Sequence, residues 1–114
     1  MPKDNSAYLK HIRDSIYRIE IYISGIDKSI FLDDLHEMVR AAVVRELEII
    51  GEAANATEQN FRETNKNLPW RDMIDTRNKI IHDYMSVDYE LVWDIIIKDL
   101  PPLKIQVETL VGTK

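Results

Sequence analysis

Asp33-Asp34-Leu35-His36-Glu37-Met38-Val39-Arg40-Ala41-Ala42-Val43-Val44-Arg45-Glu46-Leu47-Glu48-Ile49-Ile50-Gly51-Glu52-Ala53-Ala54 reads as a helix from its start signal to its last turn. Apolar side chains recur at Leu35, Val39, Ala42, Val43, Leu47, Ile50 and Ala54. That spacing of threes and fours paints one face of a helix. Asp34 followed by Glu37 reads as a capping box, and Asp33 adds a second negative charge at the positive end of the helix. The helix is expected to end near Asn55 or Thr57. Gly51-Glu52-Ala53-Ala54 places small side chains late in it, which predicts either a tight helix crossing or a subunit contact.

The segments on either side repeat the pattern. Upstream, Leu9, Ile12, Ile16, Ile19, Ile23 and Ile26 form a narrow apolar seam, predicting a helix from about Asp4 to Ile26 with Phe31-Leu32 packing as a connector. Downstream, polarity rises from Glu58 to Leu68, where Asn60, Asn65 and Asn67 mark irregular or short helical structure. Pro69 suits a first helical turn, because its missing N–H would be unpaired there, and a third helix is read from Pro69 to Asp83. Asp88 can cap a fourth through Leu91, Val92, Ile95 and Ile96. Pro101-Pro102 is expected to break it, leaving a last short helix with Leu103, Val107 and Leu110. The fold class predicted is all-α, an antiparallel bundle of four or five helices.

Composition narrows the function classes. The 114 residues read as one domain spanning 1–114. With no Cys, the chain has no disulfide, thiolate metal site or Cys nucleophile, and three Gly and four Pro are too few for an all-β architecture. No apolar run is long enough to span a bilayer and Met1-Pro2-Lys3-Asp4-Asn5 has no leader pattern, so a cytoplasmic protein without a membrane partner is expected. A net charge of −5 argues against coating nucleic acid through bulk charge but leaves room for a small basic cleft. Between Asn60 and His82, Arg62, Lys66, Arg71, Arg77 and Lys79 outnumber Glu63, Asp72 and Asp75. From Asp83 to Leu100, Lys98 faces Asp83, Asp88, Glu90, Asp94 and Asp99.

The common catalytic signatures, a Gly-rich phosphate loop, a zinc-binding His-Glu-x-x-His or a Ser elbow, do not occur. His11 and His36 sit at plain surface or boundary positions. His82 differs in its company, Asp75-Thr76-Arg77-Asn78-Lys79-Ile80-Ile81-His82-Asp83-Tyr84. On one straight helix Asn78 and His82 would lie about 40° apart and Arg77 and Tyr84 about 20°, but Arg77 and His82 would diverge by about 140°. Either the helix ends near His82, or two copies of the segment face each other across a dimer axis. Arg offers a planar fork of donors matched to phosphate, and His exchanges protons near neutrality. Without metal ligands, the pair suits metal-independent RNA cleavage. His82 would take the ribose 2′-hydroxyl proton while Arg77 stabilises charge on the phosphorus, with Asn78 holding the imidazole or a phosphate oxygen. The same residues admit a structural reading, in which Arg77 pairs with Asp75 or Asp83 and His82 caps a helix end. Trp70 and Trp93 are read as core or interface anchors.

Arg77-Asn78-Lys79-Ile80-Ile81-His82 resembles the Arg–polar–x3–His signature of HEPN-domain ribonucleases. The blocks Leu47–Ala54, Leu68-Pro69-Trp70, His82-Asp83-Tyr84, Val87-Asp88, Trp93 and Asp99-Leu100-Pro101 resemble, in order and spacing, the HepT branch of that group. The resemblance implies a helical HEPN fold, a homodimer that could associate further, and an RNA endonuclease acting as the toxin of a toxin–antitoxin system without cofactor, metal or DNA partner. It makes Arg77 and His82 the catalytic pair and Asn78 the supporting polar residue. It also makes Tyr84 the target of a MntA-like minimal nucleotidyltransferase antitoxin, which transfers AMP from ATP onto the phenol and silences the toxin. Added phosphate and purine beside the cleft would repel and occlude RNA. A non-catalytic subunit that binds nucleotide or partner and regulates such a nucleotidyltransferase is the competing function. A purely structural adaptor gives no account of Arg77 and His82 together.

Overall fold

The computed structural model describes residues 5–83 and 86–112, apart from the side chains of His82 and Asp83. The architecture is all-helical, with one small hairpin. Helix α1 spans Asn5–Tyr22, α2 Lys28–Phe31, α3 Glu37–Ala56, α4 Gln59–Thr64 and α5 Trp70–Ile80. Strands β1 (Ile81–Asp83) and β2 (Ser86–Val87) form the hairpin, and α6 (Tyr89–Asp94) and α7 (Leu100–Val111) complete the chain.

Side-chain bonds show the long helices running antiparallel. Along α1 and α3, Arg18 Nε donates to Glu46 Oε1 at 2.9 Å, while about three and a half turns away Asn5 Nδ2 donates to Glu58 Oε1, just past α3, at 3.1 Å. Along α1 and α7, Tyr17 O–H donates to Glu108 Oε2 at 2.5 Å and Lys104 Nζ to Glu20 Oε2 at 3.0 Å. The seam of α1 supplies Leu9, Ile12, Ile16 and Ile19 to the core, where they meet Val43, Leu47 and Ile50 of α3 and Leu103 and Val107 of α7. The predicted stripes are therefore the buried faces, except at Leu35, which lies in the turn before α3 and is 87% exposed. Among the described residues no helix is long and apolar enough to cross a membrane.

Several boundaries differ from expectation, each for a local reason. Helix α1 stops at Tyr22 rather than Ile26, because Gly25 adopts φ +75° and Asp27 then caps α2 by accepting from Ile30 N–H at 2.9 Å. The connector at Phe31 is thus a short helix whose Phe31 is fully buried. The capping box at Asp34 and Glu37 does not form. Asp33 is the capping residue, accepting from Leu35 N–H at 2.8 Å at the start of a 3-10 turn, Asp34–His36, and Glu37 opens α3. Pro69 lies just before α5, with ψ 66°, rather than inside it. Pro101-Pro102 does not break the chain into two helices. A π-turn, Ile95–Asp99, joins α6 to α7 with helical backbone angles at Ile95 and Leu100. The wider turn absorbs carbonyls that two prolines leave without donors.

Arg40 holds the connector to the far side of the bundle. The residue is nine-tenths buried and donates through Nη1 to the carbonyls of Phe31 at 2.8 Å and Asp33 at 2.7 Å. It also lies over the ring of Tyr89, 5.1 Å from the centroid, at the start of α6. Phe31 and Trp93 meet nearby with ring centroids 5.1 Å apart, and Phe61 meets Trp70 edge-on at 6.3 Å. Both tryptophans anchor helices to the core. Trp70 is 7% exposed and its Nε1–H donates to Asn65 O at 2.9 Å, so its ring is no open stacking platform.

Candidate functional site

The close approach of α3 and α5 builds the site. Gly51 is where they touch: a Cβ placed there would stand 2.9 Å from the backbone oxygen of Met73 and 3.7 Å from that of Ile74. Of the two expectations for the small-residue stretch, the tight crossing is the one observed. One turn along this contact, Glu48 of α3 faces Arg77 of α5, and Arg77 Nε donates to Glu48 Oε2 at 3.3 Å. Arg77 thus pairs with Glu48 and not with Asp75, which is held instead by Arg71 at 3.5 Å. The two helices enclose a hollow of about 250 Å³ lined by Glu48, Gly51, Glu52, Asn55, Ile74 and Arg77.

Helix α5 ends at Ile80, three residues earlier than the periodicity predicted. Ile81 is extended (φ −103°, ψ 111°), and its N–H still closes the last turn on Arg77 O. Ile81 pairs with Val87 and Asp83 with Ser86, with a bulge between Ile81 and Asp83. Asp88 N–H donates to Ile80 O at 2.6 Å and so takes the helix's last carbonyl into the hairpin. The β-branched pair Ile80-Ile81 tolerates helix and strand alike, and the pairing partners Ser86–Asp88 decide between them. Asp88 also caps α6 as expected, accepting from Leu91 N–H at 3.0 Å.

Arg77 and Asn78 are therefore exposed on the last turn of α5, and the backbone of His82 lies on β1 at the bulge. Of the two solutions to the 140° divergence on a straight helix, the helix does end before His82. The stripe shared by Arg77 and Tyr84 on a continuous helix does not exist, because that helix does not reach Tyr84. The side chain of His82, and Tyr84 altogether, lie outside the described residues. His11 is exposed and His36 half-buried, and neither lines the Arg77 hollow.

The residue that sequence reasoning missed is Glu48. It shares a face of α3 with Gly51, Glu52 and Asn55, a periodicity visible in the chain, but only the crossing with α5 gives that face a partner. Chemically, the hollow presents one guanidinium fork between two carboxylates. A larger, open groove of about 670 Å³ adjoins it, sharing Ile74 and lined further by Arg62, Lys66, Trp70 and Arg71. A third cavity, about 310 Å³, opens on the other face of α5 among Leu47, Met73, Ile95 and Leu103.

Comparison with known proteins gives these residues a context. The family model described as "Ribonuclease HepT-like" matches residues 12–110. A protein of Methanocaldococcus jannaschii named "Putative RNase MJ1380" is 40% identical over 106 residues, covering 93% of this chain and 95% of its own. A protein of Thermococcus cleftensis named "Probable ribonuclease HepT" is 36% identical over 110 residues, covering 96% of this chain and 98% of its own. No solved structure shows significant similarity to the chain.

Proposed function

The chain belongs to the HepT-like family of ribonucleases, and from that premise we propose that it is a metal-independent RNA endonuclease whose catalytic pair is Arg77 and His82. The observation that carries the reading is the end of α5 at Ile80. It leaves Arg77 on a rigid last turn and sends His82 out of the helical register, which removes the geometric obstacle to aiming both at one phosphodiester.

In this reading His82 accepts the proton of a ribose 2′-hydroxyl, and the 2′-oxygen attacks the adjacent phosphorus. The bond to the 5′-oxygen of the next nucleotide breaks, giving a 2′,3′-cyclic phosphate and a 5′-hydroxyl. Arg77 spreads its fixed positive charge over the phosphorane oxygens, and Asn78 orients the imidazole or an oxygen. The departing oxygen needs a proton. In a homodimer the second His82 supplies it, so each composite cleft holds two Arg and two His. The toxin role, a MntA-like nucleotidyltransferase antitoxin and AMP transfer onto Tyr84 belong to the same proposal, together with a single domain over residues 1–114.

The test is cleavage of purified RNA under excess chelator. The wild type should cut, with a pH–rate profile showing a group that titrates near neutrality. His82→Ala and Arg77→Ala should stay helical and lose the activity. Full cleavage by folded His82→Ala overturns the assignment. Incubation with the nucleotidyltransferase and ATP should add whole AMP units to the intact mass, and Tyr84→Phe should abolish the gain.

One observation favours the competing reading of a non-catalytic regulatory subunit: the hollow around Arg77 carries Glu48 and Glu52, an unwelcoming place for a phosphate. That reading predicts no cleavage by the wild type under any of these conditions, with partner activity changed on binding.

A further inference from the structure

The acidic hollow raises the question of what brings a polyanion to Arg77 at all. The chain carries a net charge of −5, so no general attraction does it. The groove between α4 and the start of α5 is the local exception, with Arg62, Lys66 and Arg71 against Glu63 and Asp72. Arg62 Nε is buried there without a hydrogen-bond partner among the described residues, a desolvated donor awaiting an acceptor. Lys66 and Arg71 are exposed. The groove meets the Arg77 hollow at Ile74, which lines both. Arg71 precedes Arg77 by six positions on α5, about 9 Å along the axis and about 120° around it, with Ile74 midway. A strand held at Arg71 therefore passes partway around α5, over Ile74, to reach Arg77, a span of a few nucleotides. The floor of the groove is closed by buried Trp70, which leaves backbone charge, rather than base stacking, as its means of recognition.

We propose that this groove binds the phosphodiester backbone of single-stranded RNA flanking the scissile bond, with Arg62, Lys66 and Arg71 as its phosphate contacts. The proposal rests on the ribonuclease reading and adds to it where the substrate strand runs. Recognition is independent of sequence, and the strand leaves the cleft along the outer surface of α5 toward α4.

The experiment measures binding of an uncleavable 2′-O-methyl decanucleotide by fluorescence anisotropy over a salt series, and separately the cleavage of the unmodified decanucleotide. K66Q/R71Q is compared with K10Q/K28Q, which removes the same charge from exposed sites outside the groove. Helical circular dichroism confirms that both variants fold. K66Q/R71Q should bind roughly tenfold more weakly near 0.1 M salt, and its log–log salt slope should shrink by about 1.4, from about 0.7 per single-strand phosphate contact. K10Q/K28Q should match the wild type. Equal losses in both variants, or none in either, overturn the groove. So does a wild type that binds no RNA. Selective loss in K66Q/R71Q with no cleavage by the wild type would uphold the groove while sinking the nuclease, and normal cleavage without selective loss would do the reverse.

Discussion

Arg77 Nε donates to Glu48 Oε2 across 3.3 Å, so the guanidinium proposed to receive an RNA phosphate already holds a carboxylate. A phosphate must displace Glu48 or share the fork with it. Arg77 is 65% exposed, which limits such a pair to about 1 kcal/mol at most. Glu48→Gln should therefore lower KM for RNA by about two- to fivefold with kcat little changed. A fall in kcat at constant KM would show instead that Glu48 positions the arginine for the chemical step.

The contact at Gly51 is less forgiving. A methyl group there meets the backbone oxygen of Met73 at 2.9 Å, and a main-chain atom cannot rotate away. Overpacking of this kind costs about 1–3 kcal/mol, against a gain of about 1 kcal/mol from replacing glycine by alanine in a helix. Gly51→Ala should be destabilised by about 1 kcal/mol in urea unfolding, and its nuclease activity should fall because α5 carries Arg77 away from α3. A variant more stable than the wild type would mean that the crossing relaxes freely.

Asp33 and Asp88 both cap helical turns through one side-chain bond, to Leu35 N–H and Leu91 N–H. Alanine at either should cost about 1 kcal/mol. Their effects on catalysis should separate, since alanine keeps the main-chain N–H of Asp88 on Ile80 O but frees the start of α6 that anchors it, next to the strand carrying His82, whereas Asp33 lies at the other connector. Asp88→Ala should reduce kcat severalfold where Asp33→Ala leaves it near the wild-type value. Equal kcat values in the two variants would show that the α6 cap does not help hold the hairpin for catalysis.

The fold should loosen in alkali through the α1–α7 contact. Tyr17 has its pKa raised above 10.0, chiefly by the hydrogen bond its phenol donates to Glu108, then by desolvation and by the charge of Glu108. Lys104 is raised above 10.5, chiefly by its hydrogen bond to Glu20. Groups raised in the folded state contribute fully below their unfolded values and lose that contribution as pH climbs through the folded ones. The stability gap between wild type and Tyr17→Phe should therefore be widest near neutrality and close above pH about 10. A gap constant from pH 7 to 11 in urea unfolding would rule the bond out as a contributor.

The helical stripes were legible because each is a local, periodic record of which face is buried. Leu9, Ile12, Ile16 and Ile19 appear in the chain as they do in the core. Asp88 was legible as a cap for the same reason, its partner lying three residues on. Asp33 and Asp34 are neighbours of equal capping chemistry, and the 3-10 geometry of the first turn selects Asp33. A helix ending near His82 was one of two solutions the Arg77–His82 spacing allowed, but its end at Ile80 was not legible, since it depends on pairing with Ser86 and Val87 beyond a turn. Arg77 and Asn78 could be named from the motif, whereas Glu48 acquires its meaning only when two helices separated by α4 come together.

The π-turn at Ile95–Asp99 fixes how the two ends of one rod are clocked. A widened turn accommodates an extra residue, and in an ordinary helix each residue advances the azimuth by about 100°. Upstream, Trp93 meets Phe31; downstream, Glu108 meets Tyr17. Excising a single residue between Ile95 and Asp99 would restore regular winding with the phase nearly unchanged, since four residues at about 100° turn about as far as the five of the wide turn. Excising one from the regular helix on either side would instead rotate one docking contact by about 100° toward solvent. The wide turn is thus the one stretch of this rod that can lose a residue without unclocking its ends.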